Sequence, residues 1–438
     1  MGSGDDRALP LTGVRARRPD AAPRRARVAC MIAMVAFGLL AGSWAPRIPG
    51  VRADLGLSNG ALGAALLGAP FGAVATIWLT GRVLGRLDSR VVVRAALVVT
   101  CTVWLLLAVA GDVGELFAVL ALWGAASSAL DVALNTQIAQ VERRYGRPIM
   151  TSAHAAWAAG ALLGAGVGSA AAGLGIPLAV QLLGVGAFSL VTILPATLAM
   201  LPTDRFTPDI PPPPPPASDA SRAQSSGRPA SECSSERMGV RVRVGRVSRT
   251  LVALCAMAFG SLLCEGVAAD WSALYLEEVT GAAAGVSGVG YVVFSGCMLA
   301  TRTIGDRAAV RFGPDRLVRT LAGIAAVLFG LALATGTTGA GTATGILGFA
   351  AVGTGAACVY PSGMSAVARV GRAAGTSVAA YATFGYLGWL TGPVLVGALS
   401  ALLGLHAAML AVPLLLSMIV FLAPALTARD GHRRGGQP

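Results

Sequence analysis

The chain has 438 residues, 55% of them hydrophobic and only 13% charged, with a mean hydropathy of +0.69. Soluble proteins carry about 25% charged residues, so this composition excludes a soluble globular domain and predicts an integral membrane protein. The formal charge is +13, but the basic residues sit in short clusters between apolar runs, which is the pattern of membrane topology and not of a nucleic-acid surface.

In chain order, a basic tail (residues 1–26) leads into the first apolar run without a clean small-residue cleavage site, so that run is read as a retained span. A membrane span takes about 20 apolar residues. Six fit within residues 27–200, at 28–46, 59–80, 91–110, 115–139, 149–171 and 177–200. A polar segment, 201–248, follows, with six consecutive prolines from Pro211 to Pro216 and then a Ser/Arg/Glu-rich run. It cannot bury apolar surface and is expected to be a water-exposed tether. Six more spans fit within 249–427, at 250–270, 284–304, 317–336, 342–366, 375–400 and 405–427, before a short tail, 428–438. The expected architecture is all-α: twelve transmembrane helices as two six-helix bundles on either side of the tether.

All 34 basic residues are arginine. With the N-terminus in the cytoplasm, 32 of them fall on the cytoplasmic side and only Arg47 and Arg52 lie outside. That bias predicts that both termini and the tether are cytoplasmic. The seven cysteines form no C-x-x-C pair, which predicts free thiols and no metal site. There is no G-x-x-x-x-G-K-[ST] loop and no lysine to complete one, so a nucleotide is not expected as energy source, and no cofactor is expected.

The halves echo one another. The second span is followed by Gly81-Arg82-Val83-Leu84-Gly85-Arg86-Leu87-Asp88-Ser89-Arg90. The eighth is followed by Gly305-Asp306-Arg307 and then Arg311-Phe312-Gly313-Pro314-Asp315-Arg316. Spans 5 and 11 match in Gly160, Gly164 and Gly168 against Gly388, Gly392 and Pro393. Glycines four apart line one helix face and admit a second backbone closely.

Six plus six spans, a cytoplasmic tether and a basic glycine-containing turn after spans 2 and 8 together resemble the major facilitator superfamily. Local stretches are similar to its bacterial inner-membrane branch related to fucose permease and the sugar–proton symporters. These are Gly42-Ser43-Trp44-Ala45-Pro46-Arg47-Ile48-Pro49, Asp131-Val132-Ala133-Leu134-Asn135, Glu142 to Pro148 with His154 beyond it, Glu265-Gly266 through Ala269 to Leu276, and Gly385-Tyr386-Leu387-Gly388. The chain departs from the family in carrying Gly85 where the loop motif usually has Asp, and Trp44-Ala45 where sugar–proton symporters carry an acid. Coupling through a carboxylate in span 1 is therefore not expected.

An ionisable side chain inside a span costs at least ~2.5 kcal/mol, so it is expected to face a cavity. Asp131 is the deepest, and Asn135 sits one turn on along the same face. The resemblance gives Asp131 the role of the span-4 carboxylate used in binding and protonation, and Asn135 that of its amide neighbour. The alternative is a structural ion pair. His154, at similar depth in span 5, pairs with Asp131 as a proton relay or serves as a packing histidine. Glu265 in span 7 either takes up a proton or pairs with Arg47 across the halves to close an outer gate, with Asp270 nearer the surface. Trp44, Trp157, Tyr360, Tyr381 and Tyr386 are candidates to line the cavity. Arg82, Arg86 and Arg90, with Asp306, Arg307 and Arg311, are candidates to latch the bundles on the cytoplasmic side or simply hold the loops there.

The expected function is secondary active transport of a small solute, a sugar or related polar metabolite, by a monomer in the bacterial inner membrane, coupled to protons. The alternatives are a proton-driven drug or metabolite exporter and a non-transporting sensor or scaffold that uses the tether. No nucleophile–base arrangement points to an enzyme.

Overall fold

The computed structural model describes residues 21–145, 149–202, 249–367 and 374–428. The tether expected at 201–248 lies almost wholly outside the described residues, as does the side chain of Asp306. The described residues form helices and turns without strands. Twelve helices are long and apolar enough to cross a membrane. They are α1 (Ala21–Asp54), α2 (Asn59–Leu84), α3 (Ser89–Leu106), α4 (Val113–Tyr145), α5 (Ser152–Gly173), α6 (Leu178–Ala196), α7 (Arg249–Glu278), α8 (Ala284–Gly305), α9 (Pro314–Thr335), α10 (Gly341–Val367), α11 (Ala380–Leu403) and α12 (Leu405–Leu426). Each coincides with one of the twelve apolar runs. Several run longer than the apolar stretch alone, because hydrogen bonding continues into the polar flanks. The helix of α8, for example, extends to Phe312, where Gly313 turns the chain at φ 87° and Pro314 opens α9. That φ is one only glycine adopts without strain.

Within α1–α6 the principal packed pairs are α1 with α5, α2 with α4, α3 with α4, and α6 with α1 and α3. Within α7–α12 they are α7 with α11, α8 with α10, α9 with α10, and α12 with α7 and α9. Each pair recurs six helices later, as a twofold-related repeat requires. Outward-facing side chains such as Leu198, Leu402 and Phe421 are about four-fifths exposed, the apolar surface that lipid covers.

Small residues set how closely these pairs approach. A side chain at Gly38 or Gly42 of α1 would strike the backbone of α5 at Trp157 or Ala161, and one at Gly160 or Gly164 would strike α1 at Val35 or Leu39. The equivalent pair is joined the same way, Gly388 of α11 standing over the carbonyl of Phe259 in α7. In lipid there is no hydrophobic drive between helices, so this close contact supplies the attraction.

Several helices are interrupted, and the breaks in α1 and α10 bear on the rest of the structure. In α1, Pro46 and Pro49 break the regular ladder after Gly42, leaving a 3₁₀ turn at Ala45–Arg47 and a short helix at Ile48–Asp54. The Ser43 carbonyl at the break accepts a hydrogen bond from Gln181 Nε2 of α6 at 2.9 Å. In α10 the helix stops at Ala356 and resumes at Val359, with Pro361 just beyond. Proline has no N–H, so the Ala357 carbonyl four residues back has no helical partner.

The start of α1, the end of α6, the start of α7 and the end of α12 lie at one end of the twelve-helix array, here called the linker end. The opposite end is the far end. We expect Gly164→Leu to force α1 and α5 apart and cost about 1–3 kcal/mol, the price of overpacking a tight contact. Gly184→Leu, at a glycine with open space around it, should be neutral. Thermal unfolding of the purified protein in detergent separates the two.

Candidate functional site

Charge inside the array is concentrated at two places, one in each half. In α4, Gln137 marks the level of the linker end: its Nε2 donates to Ser89 Oγ at 2.7 Å, where α3 begins, and to the Leu201 carbonyl at 2.8 Å. Asp131 lies six residues, ~9 Å, deeper along α4. Asn135 Nδ2 donates to Asp131 Oδ1 at 3.0 Å, as the one-turn spacing predicts, and to the Asp131 carbonyl at the same distance. The Asn135 Oδ1 atom is buried without a partner. His154 of α5 is exposed and acts electrostatically on Asp131. From the other half, Tyr386 of α11 also lies within electrostatic reach of Asp131, and its side chain is 65% exposed. Asp131 is half-buried, and the exposed His154 and Tyr386, one from each half, lie within electrostatic reach of it.

The second place is in α7–α12. Glu265, near the middle of α7, accepts from Arg302 Nη2 of α8 at 2.9 Å. Arg302 Nε donates to the carbonyl of Ala357 at 3.2 Å, the one that Pro361 leaves free. One guanidinium thus neutralises a carboxylate and caps a broken helix. Tyr291 and Tyr360 both lie within electrostatic reach of Glu265, and Tyr360 also lies within reach of Tyr386. Asp270 is half-buried five residues beyond Glu265 and makes no ion pair among the described residues. Because α7 continues to Glu278, Asp270 lies inside the helix and not at its end.

Several expected roles change. Glu265 pairs with Arg302, not Arg47; Arg47 Nη2 donates instead to the Ile176 carbonyl of its own half at 2.9 Å. Trp44 is buried, 6.1 Å from Trp104 in an edge-on contact, because the break in α1 turns it into the first bundle. Tyr381 has no exposed surface: its hydroxyl donates to the Tyr360 carbonyl at 3.0 Å and its ring packs on Tyr360. Buried in this way, neither ring is available to line a cavity. Trp157 and Tyr360 are half-buried. At the linker end Arg90 pairs with Asp88 of its own turn at 2.8 Å, Arg86, Arg307 and Arg311 are exposed, and Arg311 lies over the adjacent Phe312 ring. Arg82 is exposed in the same turn.

The halves meet at the far end. Gly63 of α2 meets Gly397 and Pro393 of α11, Gly173 of α5 meets Gly285, and Gly288 sits against Ser169 and Pro46. A polar latch accompanies these contacts. Arg52 Nη1 pairs with Glu278 at 3.0 Å, and Asn59 Nδ2 donates to Ser400 Oγ at 2.7 Å and lies within 3.3 Å of Glu278. Arg302, Arg52, Asn59 and Glu278 were not singled out by the sequence pattern. For Arg302 the available signals were a lone arginine at the end of an apolar run and a proline four residues after an apolar carbonyl. For the latch, the only signal was that Arg52 stands on the arginine-poor side.

Residues 28–393 match the family described as Major Facilitator Superfamily. The uncharacterized transporter y4wD of Sinorhizobium fredii is 30% identical over 390 residues, covering 89% of this chain and 95% of that protein. Among solved structures, the nucleoside transporter NupG superposes with a TM-score of 0.67 at 16% identity, covering 92% of this chain and 99% of that one. The D-xylose-proton symporter superposes with a TM-score of 0.63 at 14% identity, covering 92% and 97%.

Removing one partner of the α7–α8 ion pair leaves the other, the half-buried Glu265 or the more exposed Arg302, uncompensated. Glu265→Gln is expected to cost about 1–3 kcal/mol, and the double variant Glu265→Gln/Arg302→Gln to cost less than the sum of the singles, measured as thermal midpoints. The far-end latch is partly exposed and worth about 1 kcal/mol, some fivefold in population. Spin labels at Leu174 and Ala283 should report a longer, broader distance distribution in Glu278→Ala than in the unmodified latch.

Proposed function

Because the chain belongs to the Major Facilitator Superfamily, we propose that it carries a small polar solute across a bacterial cell membrane by alternating access, coupled to protons. The observation that carries this reading is Asp131. A carboxylate in an apolar span is retained at a cost of a few kcal/mol, and this one is held by a neutral amide and not by an arginine. With the exposed His154 and Tyr386 within electrostatic reach, it is the residue we assign to take up and release the coupled proton. Glu265 has a different part, since its charge is matched by Arg302. The pair and the tyrosines around it offer donors and acceptors to a hydroxylated solute, with Asp270 deeper on the same helix.

The similar solved proteins are, by their own descriptions, a nucleoside transporter and a D-xylose-proton symporter. Both cargoes are rich in hydroxyl groups, and a sugar or related metabolite is the class we assign here. The two six-helix halves, 27–200 and 249–427, act as the rocking units, a single chain forms the transporter, and the linker end faces the cytoplasm, where the arginines gather. The far-end contacts then seal the outside, and the site is open to the inside. Arg47 and Asp270 belong to the outer half of the path, and Arg82, Arg86, Arg90, Arg307 and Arg311 latch the bundles when the cytoplasmic side closes.

The test uses purified protein in proteoliposomes. Sugars, polyols and nucleosides are first screened by thermal shift. A stabilising solute is then offered with the interior alkaline. Uptake should exceed equilibrium and fall as the external pH rises. Asp131→Asn should retain solute counterflow yet lose accumulation above equilibrium. If Asp131→Asn still accumulates solute against its gradient, the assignment of the coupling carboxylate fails.

A further inference from the structure

We propose that the groove beside α1 at the linker end is a binding site for an anionic phospholipid. The groove encloses about 410 Å³ and is lined by Arg24, Arg27, Val28, Met31, Ile32 and Tyr145. Its composition is divided along its length. Arg24, Val28 and Ile32 follow one another at one-turn spacing on one face of α1, and Arg27 and Met31 form the neighbouring row. The charged ends are at the start of the helix, and the aliphatic floor runs inward from them for ~12 Å. Val28 is 58% exposed and Ile32 40%, so the floor is not covered by the protein itself.

The upper part of the groove is held in place. Arg27 Nη1 donates to the Tyr145 hydroxyl at 3.1 Å, and the guanidinium lies 5.3 Å from the centre of the Tyr145 ring. This uses one of five N–H donors and leaves the rest of the planar fork for a phosphate, whose geometry it matches. The nearest carboxylate along α4, Glu142, does not neutralise these arginines. It accepts from the backbone N–H groups of Ile149 and Met150 at 2.7 and 2.9 Å, closing the turn between α4 and α5.

Two guanidinium groups above an exposed aliphatic floor suit a molecule with a phosphate head and a hydrocarbon chain. A zwitterionic lipid leaves the arginines without net counter-charge. A free phosphate leaves the floor uncovered. The level of the groove fits as well, because it sits where α1 leaves the apolar layer, the depth at which headgroups lie and at which basic residues attract anionic lipid.

The full-length protein in a neutral detergent, titrated with short-chain phosphatidylglycerol and followed by thermal unfolding, tests this. Phosphatidylglycerol should stabilise it saturably. Phosphatidylcholine of the same chain length and glycerol phosphate should each bind at least tenfold more weakly. Arg24→Gln/Arg27→Gln should weaken phosphatidylglycerol about thirtyfold, each arginine near a membrane surface being worth about fivefold. Arg25→Gln, on an exposed residue outside the groove lining, should change it little. Should the double variant not fold, Ile32→Trp keeps both charges and fills the floor, and should weaken phosphatidylglycerol by at least tenfold. Equal binding of both phospholipids, or binding indifferent to Arg24, Arg27 and Ile32, overturns the proposal in favour of unspecific lipid solvation. Equal binding of glycerol phosphate and phosphatidylglycerol overturns it in favour of a headgroup-only anion site.

Discussion

Inside a bilayer every backbone N–H and C=O needs a partner supplied by the protein, and this requirement shapes the molecule more than any other. The spans answer it mainly with helix. The two clearest exceptions, in α1 and α10, are each met by a side chain from a neighbouring helix: Gln181 takes the Ser43 carbonyl and Arg302 takes the Ala357 carbonyl. The second answer has a chemical consequence. A guanidinium brought in to cap a broken helix carries a positive charge into the apolar layer, and Glu265 is the charge that makes its presence tolerable. The break, the arginine and the carboxylate form one unit, and the tyrosines of α8, α10 and α11 gather round it.

The two halves handle charge differently although their helices pack alike. The first half holds Asp131 with an amide and leaves a histidine near it. The second holds Glu265 with a full counter-charge. A twofold-related scaffold therefore presents an acid held by an amide from one side, and from the other an ion pair with a second acid, Asp270, five residues beyond Glu265.

Much of the scaffold is legible in the sequence, because spans are a matter of length and polarity and both are one-dimensional properties. The twelve apolar runs coincide with the twelve long helices, and the Gly160, Gly164 and Gly168 row is what lets α1 lie against α5. Asn135 is placed correctly by a one-turn rule because both partners ride the same helix. The partners that come from different helices are not legible in this way. Glu265 and Arg302 are 37 residues apart, and Arg52 and Glu278 join across the halves. Nothing in spacing distinguishes Arg302 from a loop arginine, or Trp44 and Tyr381 from cavity-lining rings. Their roles are decided by the turn that Pro46 puts into α1 and by the carbonyl that Tyr381 finds on Tyr360.

At the far end the two halves touch largely through glycine: Gly63 on Gly397, and Gly173 on Gly285. Such a seam has no knobs to withdraw from holes. Parting it forfeits short-range dispersion between bare backbones and strands no side chain in an unfavourable rotamer. The polar latch beside it is the component with chemical selectivity, while the glycine seam behaves like two smooth plates, tight enough to exclude water yet shallow enough to slide or separate without first being unpicked.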